Sequence, residues 1–215
     1  MTDIHIRPLR EEEAAISAAL YREELPDEFL ARCGQKFLTC YHRAWITSPA
    51  GQALTAVDED DNVVGILFAA IDPFVHFAHI FHRFGLALTR RLVIQAIIHP
   101  TFGRLLIVTR GRRYIKAAMR MFKRKKVPIG DRSGEITFLL IKSTARKAGI
   151  GGALLAEIEK IARKAGLDEL VLVTPRNSPA IGVYEHLGWH SRGAIRTLSG
   201  EEFVHFYLPL AGSQN

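Results

Sequence analysis

The stretch from residue 134 to residue 166 constrains the fold more than any other part of the 215-residue chain. Residues 134–143, GEITFLLIKS, form an apolar run typical of a central strand, and residues 149–165 form a helical pattern that Gly166 ends. Two cations and three glycines connect these elements: Arg146, Lys147, Gly149, Gly151 and Gly152. Glycines let backbone N–H groups approach an anion, and a helix N-terminus adds partial positive charge. The loop therefore predicts a phosphate-binding site.

Hydrophobic periodicity predicts six more strands and three more helices on either side of this unit. The predicted strands are 4–9, 53–58, 63–72, 169–174, 189–198 and 201–210, and the predicted helices are 11–20, 26–47 and 177–188. We therefore predict an α/β fold in a single domain, 1–215, with a mixed central sheet of about seven strands flanked by helices on both faces.

Two familiar phosphate-binding motifs do not fit the loop, and a third does. A Walker A loop requires Lys followed by Ser or Thr after its glycines, and no such pair follows here. A dinucleotide-binding loop requires G-x-G-x-x-G, but the stretch that begins at Gly149 ends in Leu154. Residues 146–151, RKAGIG, match R/Q-x-x-G-x-G/A at every required position. That pattern resembles the acyl-CoA loop of the GCN5-related N-acetyltransferases, the GNAT family.

Residues 177–189, NSPAIGVYEHLGW, carry a second resemblance to the same family. The family signature N-x-x-A-x-x-x-Y-x-x-x-G-[FWY] is matched in register by Asn177, Ala180, Tyr184, Gly188 and Trp189. The resemblance extends over nearly the whole chain outside residues 73–128, and it implies the GNAT fold with a helical insertion between strands 3 and 4. One departure concerns Lys147, which stands where the family commonly has glycine. We expect weaker or slightly shifted cofactor binding from it.

The resemblance also implies a function. A GNAT moves an acetyl or other acyl group directly from acetyl-CoA, or another acyl-CoA, to a primary amine, and it needs no metal. The acceptor would be a small-molecule or peptide amine. The pantetheine arm should pair with the backbone of residues 140–142, and the pyrophosphate should lie on the glycine loop. The candidate cofactor-binding residues are Leu140, Ile141, Lys142, Arg146, Lys147, Ala148, Gly149, Ile150, Gly151, Gly152, Asn177 and Tyr184.

Two residues are the catalytic candidates that this resemblance implies. Tyr184 should lie beside the thioester sulfur, where a neutral phenol can protonate the leaving thiolate; the alternative is a structural tyrosine in the core. Glu135 occupies the place where the histone-acetylating branch carries a glutamate base. Strand alternation predicts that Glu135, Thr137, Leu139 and Ile141 share one face. Alternatives for the base are two acids at the start of the second helix, which also suit a helix N-terminus: Asp27 and Glu28.

Residues 73–130 are predicted to form a basic helical insertion. Between residues 73 and 128 there are thirteen Lys and Arg and no Asp or Glu, whereas the rest of the chain has sixteen basic and twenty-two acidic residues. On a helical wheel four cations and histidines share one face: His76, His79, Arg83 and Arg90. A metal site at His76, His79 and His82 is not expected, since no carboxylate is near. Residues 112–126 combine an apolar stripe with a dense basic face.

Three interpretations of the insertion stay open. It could be a lid over the acceptor cleft or a dimer contact, an attachment to an anionic membrane surface or lipid-like acceptor, or a contact for nucleic acid. The N-terminus has no apolar segment of a secretory signal, so we expect a cytoplasmic protein, peripheral to the membrane if the insertion docks there. The alternative to an enzyme is a non-catalytic acyl-CoA-binding module that docks on an anionic membrane or nucleic-acid surface.

Overall fold

The computed structural model describes residues 4–105, 132–196 and 201–210, and it has the α/β architecture predicted above. Seven strands form one sheet in the order β1-β2-β3-β4-β5-β7-β6. The strands are β1 His5–Pro8, β2 Gly51–Val57, β3 Val63–Ala70, β4 Ser133–Ile141, β5 Glu169–Pro175, β6 His190–Arg196 and β7 Glu202–Pro209. The helices are α1 Ala14–Glu24, α2 Phe29–Arg32, α3 Gln35–Ile46, α4 Pro73–His79, α5 Gly85–Ile98, α6 Pro100–Leu105, α7 Ile150–Lys164 and α8 Ile181–His186.

The sheet consists of two antiparallel parts joined by one parallel pair. Strands β1 to β4 form an antiparallel meander, and β5 pairs antiparallel with β7, which pairs with β6. Strand β4 is parallel to β5. A parallel connection needs a crossover element, which here is the glycine loop followed by α7.

The two faces of the sheet have separate cores. Helix α7 covers one face through Leu154 and Ile158, which pack with strand residues such as Leu170 and Phe206. Helices α1 and α3 cover the other face, where Trp45 packs against Phe68 of β3. Membership of one core or the other therefore shows on which face of the sheet a side chain lies.

The insertion between β3 and β4 is helical wherever it is described, as the sequence predicted. The predicted polar face is wrong, however, because a π-helical turn at Ile80–Phe84 changes the phase between α4 and α5. His76 is fully buried, with its ring 3.7 Å from that of Trp45 and its Nδ1 2.9 Å from the hydroxyl of Ser48. Arg83 and Arg90 remain exposed.

The predicted basic helix 112–126 lies outside the described residues. Among the residues that the structure describes, no helix is long and apolar enough to cross a membrane. The same residues contain no group of three His, Cys, Asp or Glu side chains that could hold a metal ion.

The long helix predicted for residues 26–47 is interrupted at Gly34. This glycine has a φ of 88°, a left-handed conformation that favours glycine, and it begins α3 after the short helix α2. The helix predicted for residues 177–188 is also shorter, since the regular part begins at Ile181. Both differences arise where a turn interrupts or precedes a helix, and hydrophobic periodicity does not locate such turns.

Candidate active site

The sheet splits between β4 and β5. The two strands pair only at their beginnings, where residues 133–136 of β4 lie beside residues 169–172 of β5. Beyond that point β4 continues to Ile141 beside β3, and β5 continues to Pro175 beside β7. The parallel pairing therefore ends at Ile136 and Leu172, and the following residues border a gap, which we call the split.

Backbone groups of β4 point into the split. The Lys142 N–H donates to the carbonyl of Val64 at 2.9 Å, so Lys142 directs its N–H group toward β3. The N–H and C=O groups of successive residues in an antiparallel strand point to alternate edges. Those of Leu140 therefore also point toward β3, whereas those of Leu139 and Ile141 point toward the split. Of the three residues predicted to pair with pantetheine, only Ile141 thus offers its backbone to the split. Leu139 also faces the split, although it is not among the predicted cofactor-binding residues.

The glycine loop, residues 142–152, leads from β4 to the N-terminus of α7. Gly149 has a φ of 77° and begins the helix, and no side chain caps it. An added Cβ at Gly149 would meet no atom within 4 Å, and one at Gly151 would meet only side-chain atoms of Leu139 and Ile141 at 3.8 and 4.0 Å. Protein packing thus leaves open space beside these glycines, together with the unpaired N–H groups of the first helical turn. These features fit the pyrophosphate of an acyl-CoA.

Arg146 of this loop is held by Glu24, the last residue of α1. Glu24 has a side chain only 5 % exposed, and it accepts the Ser143 N–H at 2.7 Å and an Arg146 guanidinium N–H at 2.5 Å. The Arg146 Nε donates to the carbonyl of Ile141 at 3.2 Å. Arg146 therefore fixes the beginning of the loop against α1. No motif singles out Glu24, whose contact spans more than a hundred residues of sequence.

Lys147 has a φ of 67°, the left-handed conformation that glycine adopts freely. This is the position where the GNAT pattern commonly has glycine. The backbone therefore keeps the glycine geometry although the side chain is lysine, at a cost of roughly 1–2 kcal/mol. Weaker or slightly shifted cofactor binding therefore stays the prediction for this substitution.

Tyr184 lies on α8 and packs on the α7 face of the sheet. Its ring centroid is 5.7 Å from that of Phe206 and 6.0 Å from that of Trp189, and the residue is buried. Burial raises the pKa of the Tyr184 hydroxyl, so the phenol is protonated at neutral pH. Tyr184 belongs to the same apolar cluster as Leu139, whose backbone faces the split. Asn177 is exposed in the turn between β5 and α8.

Glu135 lies on the opposite face of the sheet from the one that alternation predicts. The register between β3 and β4 shifts at Thr137, a β-bulge that pairs with no residue of β3. Glu135 lies opposite Ala70, which belongs to the core under α1 and α3, whereas Ile136 belongs to the α7 core. The prediction that Glu135 shares a face with Leu139 and Ile141 is therefore wrong. Tyr184 and Glu135 therefore lie on opposite faces of the sheet.

The two alternative acids lie at the start of α2. Asp27 is almost fully exposed and pairs with Arg32 at 3.4 Å, and Glu28 precedes the first residue of the helix without capping it. A cavity of about 430 Å³ lies near them, between α1, α2 and the insertion, and Arg22, His99 and Phe102 are part of its lining. None of the described residues that line it comes from β4, β5 or the glycine loop, so this cavity is separate from the split.

The sequence matches that of the acetyltransferase (GNAT) family over residues 18–189. The chain belongs to this family. As a GNAT it uses an acyl-CoA, and the match includes the glycine loop and the segment that carries Tyr184. No sequence among curated proteins matches the chain.

Solved acetyltransferase structures share the fold of this GNAT over almost its whole length. YncA from Salmonella typhimurium, solved with its cofactor acetyl-CoA, has a TM-score of 0.61 at 12 % identity, with 99 % of this chain and 97 % of that chain covered. The ribosomal-protein-S18-alanine N-acetyltransferase from Escherichia coli has a TM-score of 0.59 at 12 % identity, with 99 % of each chain covered. The spermidine/spermine N-acetyltransferase SpeG from Vibrio cholerae has a TM-score of 0.58 at 13 % identity, with 97 % and 96 % covered. At these identities the likeness concerns the fold.

Proposed function

We propose that this GNAT transfers an acetyl or other acyl group from acyl-CoA directly to a primary amine. The observation that carries the proposal is the split between β4 and β5, followed along the chain by a glycine loop and a helix N-terminus that no side chain caps. Tyr184 and Glu135 lie on the two faces of this sheet. Bound acyl-CoA supplies the activated acyl group as a thioester. The chain's own residues bind and orient it and move protons.

The binding role falls on backbone groups. The N–H groups at the start of α7 would hold the pyrophosphate, and the backbone of Leu139 and Ile141 would pair with the pantetheine amides in the split. A backbone N–H of the same strand would also donate to the oxygen on which charge develops during attack. Asn177, Ala148, Ile150 and Gly152 remain proposed cofactor contacts from the family resemblance.

The proton-transfer roles fall on side chains from opposite faces. Glu135 would accept a proton from the incoming ammonium group, whose unperturbed pKa of about 10.4 keeps it unreactive at neutral pH. Tyr184, protonated because burial raises its pKa, would donate to the leaving thiolate. Base and acid on separate faces suit a direct transfer, in which the amine approaches from one side and the thiol leaves on the other.

The acceptor is proposed as a small-molecule or peptide amine. Two of the similar structures belong to proteins named for a polyamine and for an alanine of a ribosomal protein, and both acceptors carry primary amines. Asp27 and Glu28 lie exposed on the α1–α3 side, where such cations could be attracted.

Release of free coenzyme A with a panel of amines tests this proposal. Glu135→Gln should lower turnover roughly 10²-fold at neutral pH and recover as the amine loses its own proton at high pH. Tyr184→Phe should lower turnover with little change in acyl-CoA affinity, because it removes one hydroxyl and almost no volume. Matched controls are Glu157→Gln on α7 and Tyr207→Phe on β7, which should keep full activity.

One outcome would overturn the proposed reaction, and another would overturn only the role of Tyr184. A chain that binds acyl-CoA tightly but releases no coenzyme A with any amine would be a non-catalytic acyl-CoA-binding module. Full activity of Tyr184→Phe at every pH would show that the leaving thiolate needs no acid at this position.

A further inference from the structure

The insertion exposes an unusual amount of apolar side chain. Of the thirteen large hydrophobic residues that are exposed in the described part of the chain, eight lie between residues 74 and 98. Five of them belong to α5: Leu86 at 87 % exposed, Val93 at 50 %, Ile94 at 47 %, Ile97 at 72 % and Ile98 at 62 %. We call these five residues the outer face of α5. Monomeric soluble proteins seldom expose a large apolar patch without a binding role.

The opposite face of α5 is firmly packed. Leu88 is buried, and Leu92 and Ala96 pack against the cluster formed by Phe29 and Phe102. The Gln95 side chain donates to the carbonyl of Arg32 at 3.4 Å. At about 100° per residue, the packed and exposed residues fall on opposite sides of the helix. The outer face is therefore a fixed surface, about 18 Å long from Leu86 to Ile98.

The described part of the insertion carries Arg side chains and no carboxylate. Residues 73–105 contain four arginines and no Asp or Glu, and Arg83 and Arg90 are exposed. Arg90 falls on the same side of α5 as Leu86 and Ile97 at helical spacing. A second copy of the chain would bring like charges together across an apolar contact, which disfavours it. Nucleic acid would use the arginines but leave the apolar side chains unpartnered.

We propose that the outer face of α5 docks on an anionic lipid bilayer, with the helix lying in the interface. Apolar side chains enter the boundary between headgroups and acyl chains, and the arginines contact anionic headgroups. Since the helix is packed on α2 and α3, docking fixes the orientation of the whole enzyme toward the membrane. The proposal is independent of the acyl-transfer reaction.

Vesicle co-sedimentation tests the proposal with phosphatidylcholine vesicles that contain or lack phosphatidylglycerol. The full chain should bind the anionic vesicles, and high salt should weaken the binding. Replacing Leu86, Ile97 and Ile98 with Gln keeps helix propensity and should weaken partition more than tenfold. Arg83→Gln with Arg90→Gln should weaken it roughly fivefold per charge, and only on anionic vesicles.

The matched control replaces two exposed isoleucines elsewhere, Ile16→Gln on α1 and Ile195→Gln on β6, and should bind vesicles like the unaltered chain. Equal thermal stability of the variants would show that each still folds. The proposal fails if the chain does not bind anionic vesicles, or if the triple Gln variant binds them as well as the control. It also fails if the unaltered chain is a dimer and the triple Gln variant is a monomer. The same holds if the double arginine variant loses binding to nucleic acid but binds anionic vesicles as well as the unaltered chain.

Discussion

The glycine loop presents mainly backbone groups, whereas the insertion presents mainly side chains. In the loop, glycines leave open space beside the backbone, since an added Cβ at Gly149 would meet no atom within 4 Å and one at Gly151 only two side-chain atoms. In the insertion, the buried side chains of His76 and Leu88 pack the helices onto the rest of the protein. The side chains of Leu86 and Ile97 are exposed. A ligand site built from backbone demands particular residues at fixed spacing, whereas a surface built from side chains demands only a hydrophobic or basic character.

Gly151→Asp is the largest expected effect and tests the loop half of this comparison. The substitution places a carboxylate and a Cβ in the space beside the helix N-terminus, so acyl-CoA affinity should fall at least roughly 100-fold. Isothermal titration with coenzyme A measures it. The matched control is Gly85→Asp, where an added Cβ also meets no atom within 4 Å but which lies in the insertion. Equal affinities of the two variants would contradict the loop assignment.

Acid should affect the insertion through its buried anchor. Burial lowers the pKa of His76 to about 4, with a smaller contribution from His79, and the unfolded chain has a histidine pKa of 6.5. Below pH 6.5 the unfolded chain takes up a proton that folded His76 does not, so stability falls as pH decreases from 6.5 to about 4. The full loss is about 3 kcal/mol.

Urea unfolding at several pH values measures this loss. His76→Gln should be less stable at pH 7 but should depend less on pH, because Gln keeps a partner for Ser48 and does not titrate. His82→Gln, at an exposed position, is the control. His42, whose pKa burial lowers to about 3, remains in all variants and contributes its own acid sensitivity. An unchanged slope in His76→Gln would show that His76 is not responsible.

The sequence predicts where the glycine loop lies between β4 and α7, but it does not predict the tertiary contacts around it. Gly149 is predictable because a left-handed backbone at a helix start favours glycine. The side of the sheet on which Glu135 lies was mispredicted, because the bulge at Thr137 depends on pairing with β3 and leaves no period in the sequence of β4. The contact of Glu24 with Arg146 joins distant parts of the chain, so no local pattern reveals it.

Glu24→Gln tests how much side-chain charge adds to the backbone site of the loop. It should leave the loop backbone in place and remove only the negative charge of Glu24. The amide can still accept the Ser143 N–H, but the negative charge beside Arg146 disappears. Acyl-CoA affinity should rise roughly fivefold and become more dependent on salt. Glu23→Gln makes the same change of net charge at an exposed neighbouring residue and should have little effect. Weaker binding by Glu24→Gln would instead show that the carboxylate mainly holds the loop in its binding shape.

The smallest expected effect concerns Lys147, and it tests whether the left-handed backbone of the loop determines which residue is most stable there. Its φ of 67° strains any residue with a Cβ, so Lys147→Gly should be more stable than Lys147→Ala by about 1 kcal/mol. Both variants remove the same charge, and the difference between them therefore isolates the backbone. The same pair at Lys160, in the middle of α7, should show the opposite order by about 1 kcal/mol, because glycine destabilises a helix interior. Thermal unfolding of the four variants measures both differences. If glycine were the less stable residue at both positions, the left-handed conformation of Lys147 would carry no strain, and its occurrence at a family glycine position would need another cause.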